Sequence, residues 1–82
     1  MTVDGAVKGP IREWLMANAT GGRPVSDDQQ LIRDGLLTSL MVVELVLFLE
    51  QQFGVVIDDM DVSEENFASV QAIAELVDRK RA

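Results

Sequence analysis

The sequence predicts an all-α fold: a small four-helix bundle with three main helices, a short third helix and a long first loop. Three observations lead there. Residues 39–53 run without Gly or Pro and stop at Gly54. The segments on either side place apolar residues at helical spacing. The short β-branched run Val55-Val56-Ile57 has no partner strand elsewhere, so it is expected as an extended loop packing on the core. Eighty-two residues make one small domain, read as spanning 1–82. A chain of this length buries only ~60% of its unfolded surface, so its core is thin.

The first helix carries Val3, Val7, Ile11, Trp14 and Leu15 on one face. Pro10 limits it. Proline inside a helix costs ~3 kcal/mol but is harmless at the first helical position. The favoured start is therefore Gly9-Pro10, with a loose turn before it; the alternative is a kinked helix from near Val3. Thr20-Gly21-Gly22-Arg23-Pro24 ends the helix, and a long polar connection runs to Thr38. Ser26 and Gln29 have capping-box spacing within it, and Leu31, Ile32, Leu36 and Leu37 are expected on the core. After the second helix, Asp58-Asp59-Met60-Asp61 reads as an acidic turn. Ser63 to Phe67 reads as the short third helix, with Ser63 as N-cap and Phe67 in the core. Ser69 caps a last helix bearing Val70, Ile73, Ala74 and Val77, and Arg79-Lys80-Arg81 sits at its negative end.

Composition narrows the function. Apolar residues make up 48% and charged residues 26%, a globular balance. The formal charge is −7, with no basic stripe, which excludes nucleic acid as a partner and favours basic protein surfaces. There is no Cys and no His. Disulfides, thiolate chemistry and the commonest general base and metal ligand are thereby absent, which argues against an enzyme. Met1-Thr2-Val3-Asp4 does not begin a secretory leader, and the apolar run Leu40–Leu49, broken by Glu44, is too short to span a bilayer. A cytoplasmic monomer with no membrane association is expected.

The second helix has more apolar surface than a core needs. On a helical wheel Val42, Leu45, Val46, Leu49 and Phe53 form the core face. Leu40, Met41, Glu44, Leu47, Phe48 and Gln51 form the other, and four of these six are large and apolar. That outer face is either buried by neighbouring helices or a docking surface, with Asp34 and Glu50 adding negative charge nearby. Ser39 opens the helix. Alone it reads as an N-cap, since nothing beside it in sequence activates it as a nucleophile. A helix N-terminus is nonetheless a good seat for a phosphate carried on that serine, worth only ~0.3–1 kcal/mol, which orients but does not catalyse.

The residues Asp34-Gly35-Leu36-Leu37-Thr38-Ser39-Leu40, then Val43-Glu44-Leu45-Val46, Leu49-Glu50, Phe53-Gly54-Val55 and Ile57, resemble the acyl carrier protein family. Asn66-Phe67-Ala68-Ser69-Val70-Gln71-Ala72-Ile73-Ala74 is similar to the start of that family's last helix, so the resemblance runs from about Leu31 to Val77. It implies an acyl-carrier-like bundle whose long first loop is a family feature. It implies that Ser39 is esterified with 4′-phosphopantetheine from coenzyme A. The arm's thiol would then carry an acyl or aminoacyl group as a thioester, and the chain itself would do no catalysis. By position, Leu40, Val43, Glu44, Leu47 and Glu50 match the family's recognition helix for the modifying transferase and partner enzymes, and Asp34 is expected to add negative charge beside them. Those partners would be a phosphopantetheinyl transferase, an acyl- or aminoacyl-loading ligase, and downstream synthases or transferases.

The sequence departs from a housekeeping fatty-acid carrier. Thr38 precedes the serine where Asp is common, Met41 stands where another acid is common, and Gln51-Gln52 follow Glu50. The form Gly-Leu-Leu-x-Ser-Leu is also similar to discrete aminoacyl, D-alanyl and peptidyl carriers. A specialised or secondary-metabolite pathway is favoured, with fatty acyl, polyketide and amino acid cargo all open. Asp59-Met60-Asp61-Val62-Ser63 has two ligands of an EF-hand, but Glu64 and Val70 occupy its glycine and glutamate positions, so no metal site is expected. The competing reading is a small helical interaction module without a prosthetic group, in which Ser39 is only a cap.

Overall fold

The computed structural model describes residues 5–81, in three α-helices and one 3-10 turn. Helix α1 spans Gly5–Asn18, α2 spans Ser39–Phe53 and α3 spans Val70–Arg81. The most extensive contact between helices joins α1 to α3.

Helix α1 starts at Gly5, so Pro10 lies inside it and not at its first position. This corrects the favoured start. The N–H that Pro10 lacks would have bonded the carbonyl of Ala6, which is exposed and therefore open to water. Extending the helix also places Val7 in the core, one turn before Ile11 and two before Leu15. Burying a valine contributes ~1.5 kcal/mol or more, which offsets part of the proline's cost. The expected contribution of Val3 lies outside the described residues.

The connection between α1 and α2 is irregular but fastened. Val25, Leu31 and Leu37 are buried, while Ile32 and Leu36 pack half-buried against the same core. Two backbone bonds tie it to the far end of the chain: Leu31 N–H to the Ala68 carbonyl at 2.8 Å, and Gln71 N–H to the Asp27 carbonyl at 3.0 Å. The Asp27 side chain meets Lys8 at 2.8 Å and also pairs with Arg12, both from α1. One residue therefore links α1, the loop and α3. The hydrogen bond from Lys8 holds the Asp27 carboxyl below its usual pKa.

Helix α2 has the expected bounds. Gly54 ends it with φ +67°, donating its N–H to the Glu50 carbonyl at 2.9 Å, a left-handed stop that favours glycine. Val55 and Ile57 then turn inward and Val56 outward, the alternation of an extended segment, as expected.

The short third helix is not formed as a helix. Residues 63–67 make a single turn, with the Phe67 N–H bonded to the Ser63 carbonyl and the Asn66 N–H to Ser63 Oγ, each at 3.1 Å. The turn does not run on into α3: the Ala68 carbonyl accepts from Leu31, and the Ala72 N–H, its helical partner, goes to Ser69 Oγ instead. The short helical element lies earlier, at Asp59–Asp61, where an acidic turn was expected. Phe67 is fully buried, and Val70, Ile73, Ala74 and Val77 form the buried face of α3. Ser69 starts α3, accepting the Ala72 N–H at 3.1 Å.

Candidate functional site

The start of α2 brings the site residues together. Its cap is Thr38, in extended conformation, whose Oγ1 accepts the Met41 N–H at 3.3 Å. Ser39 is the first helical residue and is exposed. This corrects the reading of Ser39 as the cap: the preceding hydroxyl does that work. Among the described residues, Ser39 Oγ makes no hydrogen bond, and the N–H groups of Ser39 and Leu40 have no backbone partner. They point outward from the helix's positive end.

The chain has four serines, and the other three hydroxyls are engaged. Ser26 bonds Asp28 at 3.0 Å, Ser63 accepts from Asn66 at 3.1 Å, and Ser69, nearly buried, accepts from Ala72 at 3.1 Å. Ser39 alone combines an exposed, unpartnered hydroxyl with a helix N-terminus among the described residues.

Beside Ser39 lies an open groove of about 410 Å³. Val42 and Val43 of α2 line it beside Ser39, the 62–67 segment contributes Val62, Ser63, Glu64 and Phe67, and Ile32 of the loop completes the lining. A smaller recess of about 180 Å³ shares Val43 and Val62 and continues along α2 past Val46 and Leu47. The groove is mainly apolar and suits a hydrocarbon chain better than a charged one.

The outer face of α2 is narrower than the helical wheel predicts. Leu40, Val43 and Leu47 are 72%, 59% and 55% exposed, with exposed Glu44 among them. Met41 and Phe48, assigned to that face from sequence, are half-buried and packed against the core. For Phe48 the partner is Trp14 of α1, whose ring lies 6.2 Å away. Val46 and Phe53, assigned to the core, are also half-buried. The wheel gave the face but not how far its flanks would be covered.

The acids differ in role. Asp34 is exposed and accepts from Gln29 Nε2 at 2.7 Å. Glu50 is half-buried, and its Oε2 accepts the Ile57 N–H at 3.0 Å, so it holds the extended segment to α2. Asp61 pairs with Lys80 of α3 at 2.6 Å, and Asp58 lies 3.6 Å from the same ammonium. The hydrogen bond from Lys80 holds the Asp61 carboxyl below its usual value, and the reciprocal bond raises Lys80. Sequence reasoning missed both Lys8–Arg12–Asp27 and Lys80–Asp61. Their partners lie 15 to 19 residues apart in both clusters, so no local spacing reveals them.

No helix among the described residues is long and apolar enough to cross a membrane. No curated protein sequence matches the chain. A protein-family model does: the phosphopantetheine attachment site family, over residues 11–77. Domains of this family hold 4′-phosphopantetheine covalently, meet phosphopantetheinyl transferases and biosynthetic enzymes, and do no catalysis themselves. The match takes in α2, the extended segment and most of α3, and the chain therefore belongs to the acyl carrier proteins that carry a phosphopantetheine arm.

Proposed function

We propose that Ser39 is the point of phosphopantetheine attachment, and that the chain presents acyl or aminoacyl groups as thioesters to partner enzymes. The observation that carries this is the free Ser39 hydroxyl at the start of α2, with Thr38 taking over the capping. A serine needed as a cap would lose its helix bond when esterified. Ser39 has none to lose. The outward N–H groups of Ser39 and Leu40 suit the phosphate that would be joined there. When bound, the arm supplies a thiol, the one group of that chemistry that this Cys-free chain lacks.

The chain's own residues then do three things. Ser39 holds the arm. The groove between α2 and the 62–67 segment offers an apolar lining to a hydrocarbon cargo. Leu40, Val43, Glu44 and Leu47 give partner enzymes an apolar contact around one carboxylate, with Asp34 and Glu50 adding negative charge. We take the partners to be a phosphopantetheinyl transferase, a loading ligase for an acyl or amino acid, and a downstream synthase or transferase. The recognition helix has few acids, with Met41, Gln51 and Gln52 where acids are common, which supports a specialised pathway, and we place the carrier in the cytoplasm. The carrier acts as a single 1–82 domain and a monomer in this reading.

Peptide mapping after treatment with coenzyme A and a promiscuous transferase tests the assignment. The arm is expected on the peptide containing Ser39. Finding it on a peptide containing Ser26, Ser63 or Ser69 would move the site.

A further inference from the structure

The outer wall of the groove is held in an unusual way. Every residue from Asp58 to Asn66 is exposed except two, Asp61 and Asn66. Those two are the ones that α3 grips. Lys80 Nζ lies 2.6 Å from Asp61 and 3.6 Å from Asp58, and Arg79 donates to Asn66 Oδ1 at 3.2 Å. The segment's other hydrogen bonds are internal. Asp61 Oδ2 accepts the Asp58 N–H, the Asp61 carbonyl accepts from Asn66 Nδ2, and Ser63 accepts from Asn66 and Phe67. Among the described residues, the two cations of α3 are therefore its only polar links to any helix. Apolar packing does not replace them: Met60 is 92% exposed and Val62 41%, and only Phe67, at the far end, is buried. The wall is thus anchored at both ends, by buried Ile57, which Glu50 holds to α2, and by Phe67, and it is latched at its middle.

We propose that Lys80, assisted by Arg79, latches the 58–66 wall to α3 and so sets how far the groove beside Ser39 opens to an apolar chain. The proposal rests on the carrier reading for its cargo. Lys80 is a positioning residue: it lies outside the groove lining and acts through Asp61 on the segment that carries Val62 and Ser63. A short or unlatched wall would shelter the cargo less, so the latch is a determinant of cargo retention.

The test uses the full chain and Lys80→Met, which keeps the aliphatic stem and removes the charge, with Lys80→Arg as rescue. Amide hydrogen exchange is measured first on the unmodified protein. The Val62, Asn66 and Phe67 amides are expected to exchange roughly three-fold faster or more in Lys80→Met. Amides of Ile11, Leu45 and Ile73 should be unchanged, which shows that the variant is folded. Lys80→Arg should restore the original rates. Each protein is then loaded with an octanoyl-phosphopantetheine arm, and cleavage of its thioester by hydroxylamine is timed. Faster cleavage in Lys80→Met, with rescue, supports the latch. Unchanged exchange at 62–67 overturns it, as does faster exchange with unchanged cleavage. Failure of the wild-type chain to gain the arm's mass overturns the carrier reading instead, and the exchange data still report on the wall.

Discussion

Ser39 and Thr38 are neighbouring hydroxyls with different work. Thr38 Oγ1 accepts from Met41, whereas Ser39 Oγ accepts and donates nothing among the described residues. Thr38→Ala is therefore expected to lower stability by about 1 kcal/mol in urea unfolding, even with Ser39 still present. Ser39→Ala is expected to stay within about 0.5 kcal/mol of wild type. The reverse order would mean that Ser39 is the cap. Gly35, with φ +77°, shapes the loop three residues before this pair, so a β-branched residue there would strain the approach to Ser39. The sequence made the position of Ser39 plain but not the division of labour, because a Thr-Ser pair can cap from either residue and only backbone geometry decides. Glu50 shows the same limit. Its place on α2 suggests a free recognition acid, while its carboxylate is half-occupied by the Ile57 N–H.

At the scale of elements, α2 separates a structural flank from a binding face. Phe48 packs on Trp14, so Phe48→Ala should cost ~2 kcal/mol in unfolding measurements, less than a fully buried phenylalanine. Leu47 is mostly exposed. Leu47→Glu should leave stability within about 0.5 kcal/mol. The same change should slow transfer of the arm to the protein roughly ten-fold or more, measured by initial rates of loading. If Leu47→Glu loads normally, the exposed stripe is not where the transferase docks. Periodicity made the span of α2 and the start of α3 readable, since Gly54 stops the one and Ser69 caps the other. It misplaced the start of α1, where burial of Val7 outweighs the usual preference for Pro10 at a helix start. It also extended a single turn at Ser63 into a helix. There the Ala68 carbonyl accepts a long-range bond from Leu31, which no local pattern announces.

Among the described residues, two ion clusters join segments distant in sequence: Asp27 with Lys8 and Arg12, and Asp61 with Lys80. Both aspartates titrate below their usual value of 3.8 in the folded chain. A carboxyl depressed by folding stabilises the fold above its unfolded value, and that contribution is lost as the pH falls through the folded one. Stability should thus decline below about pH 4. Asp27→Asn should be less stable than wild type at pH 6, with the gap narrowing toward pH 2.5, as read from urea midpoints. An unchanged gap would show that these ion pairs do not couple the loop to the helices. The overall charge of −7 and the missing Cys and His were legible from composition and argued against an enzyme, while the carrier reading came from the resemblance around Ser39. That central claim is tested most directly by the intact mass of the chain before and after incubation with coenzyme A and a phosphopantetheinyl transferase, with Ser39→Ala in parallel. The account predicts a gain of one phosphopantetheine in the wild type and none in the variant. A folded wild-type chain that gains nothing, or a Ser39→Ala chain that gains the same mass, would contradict it.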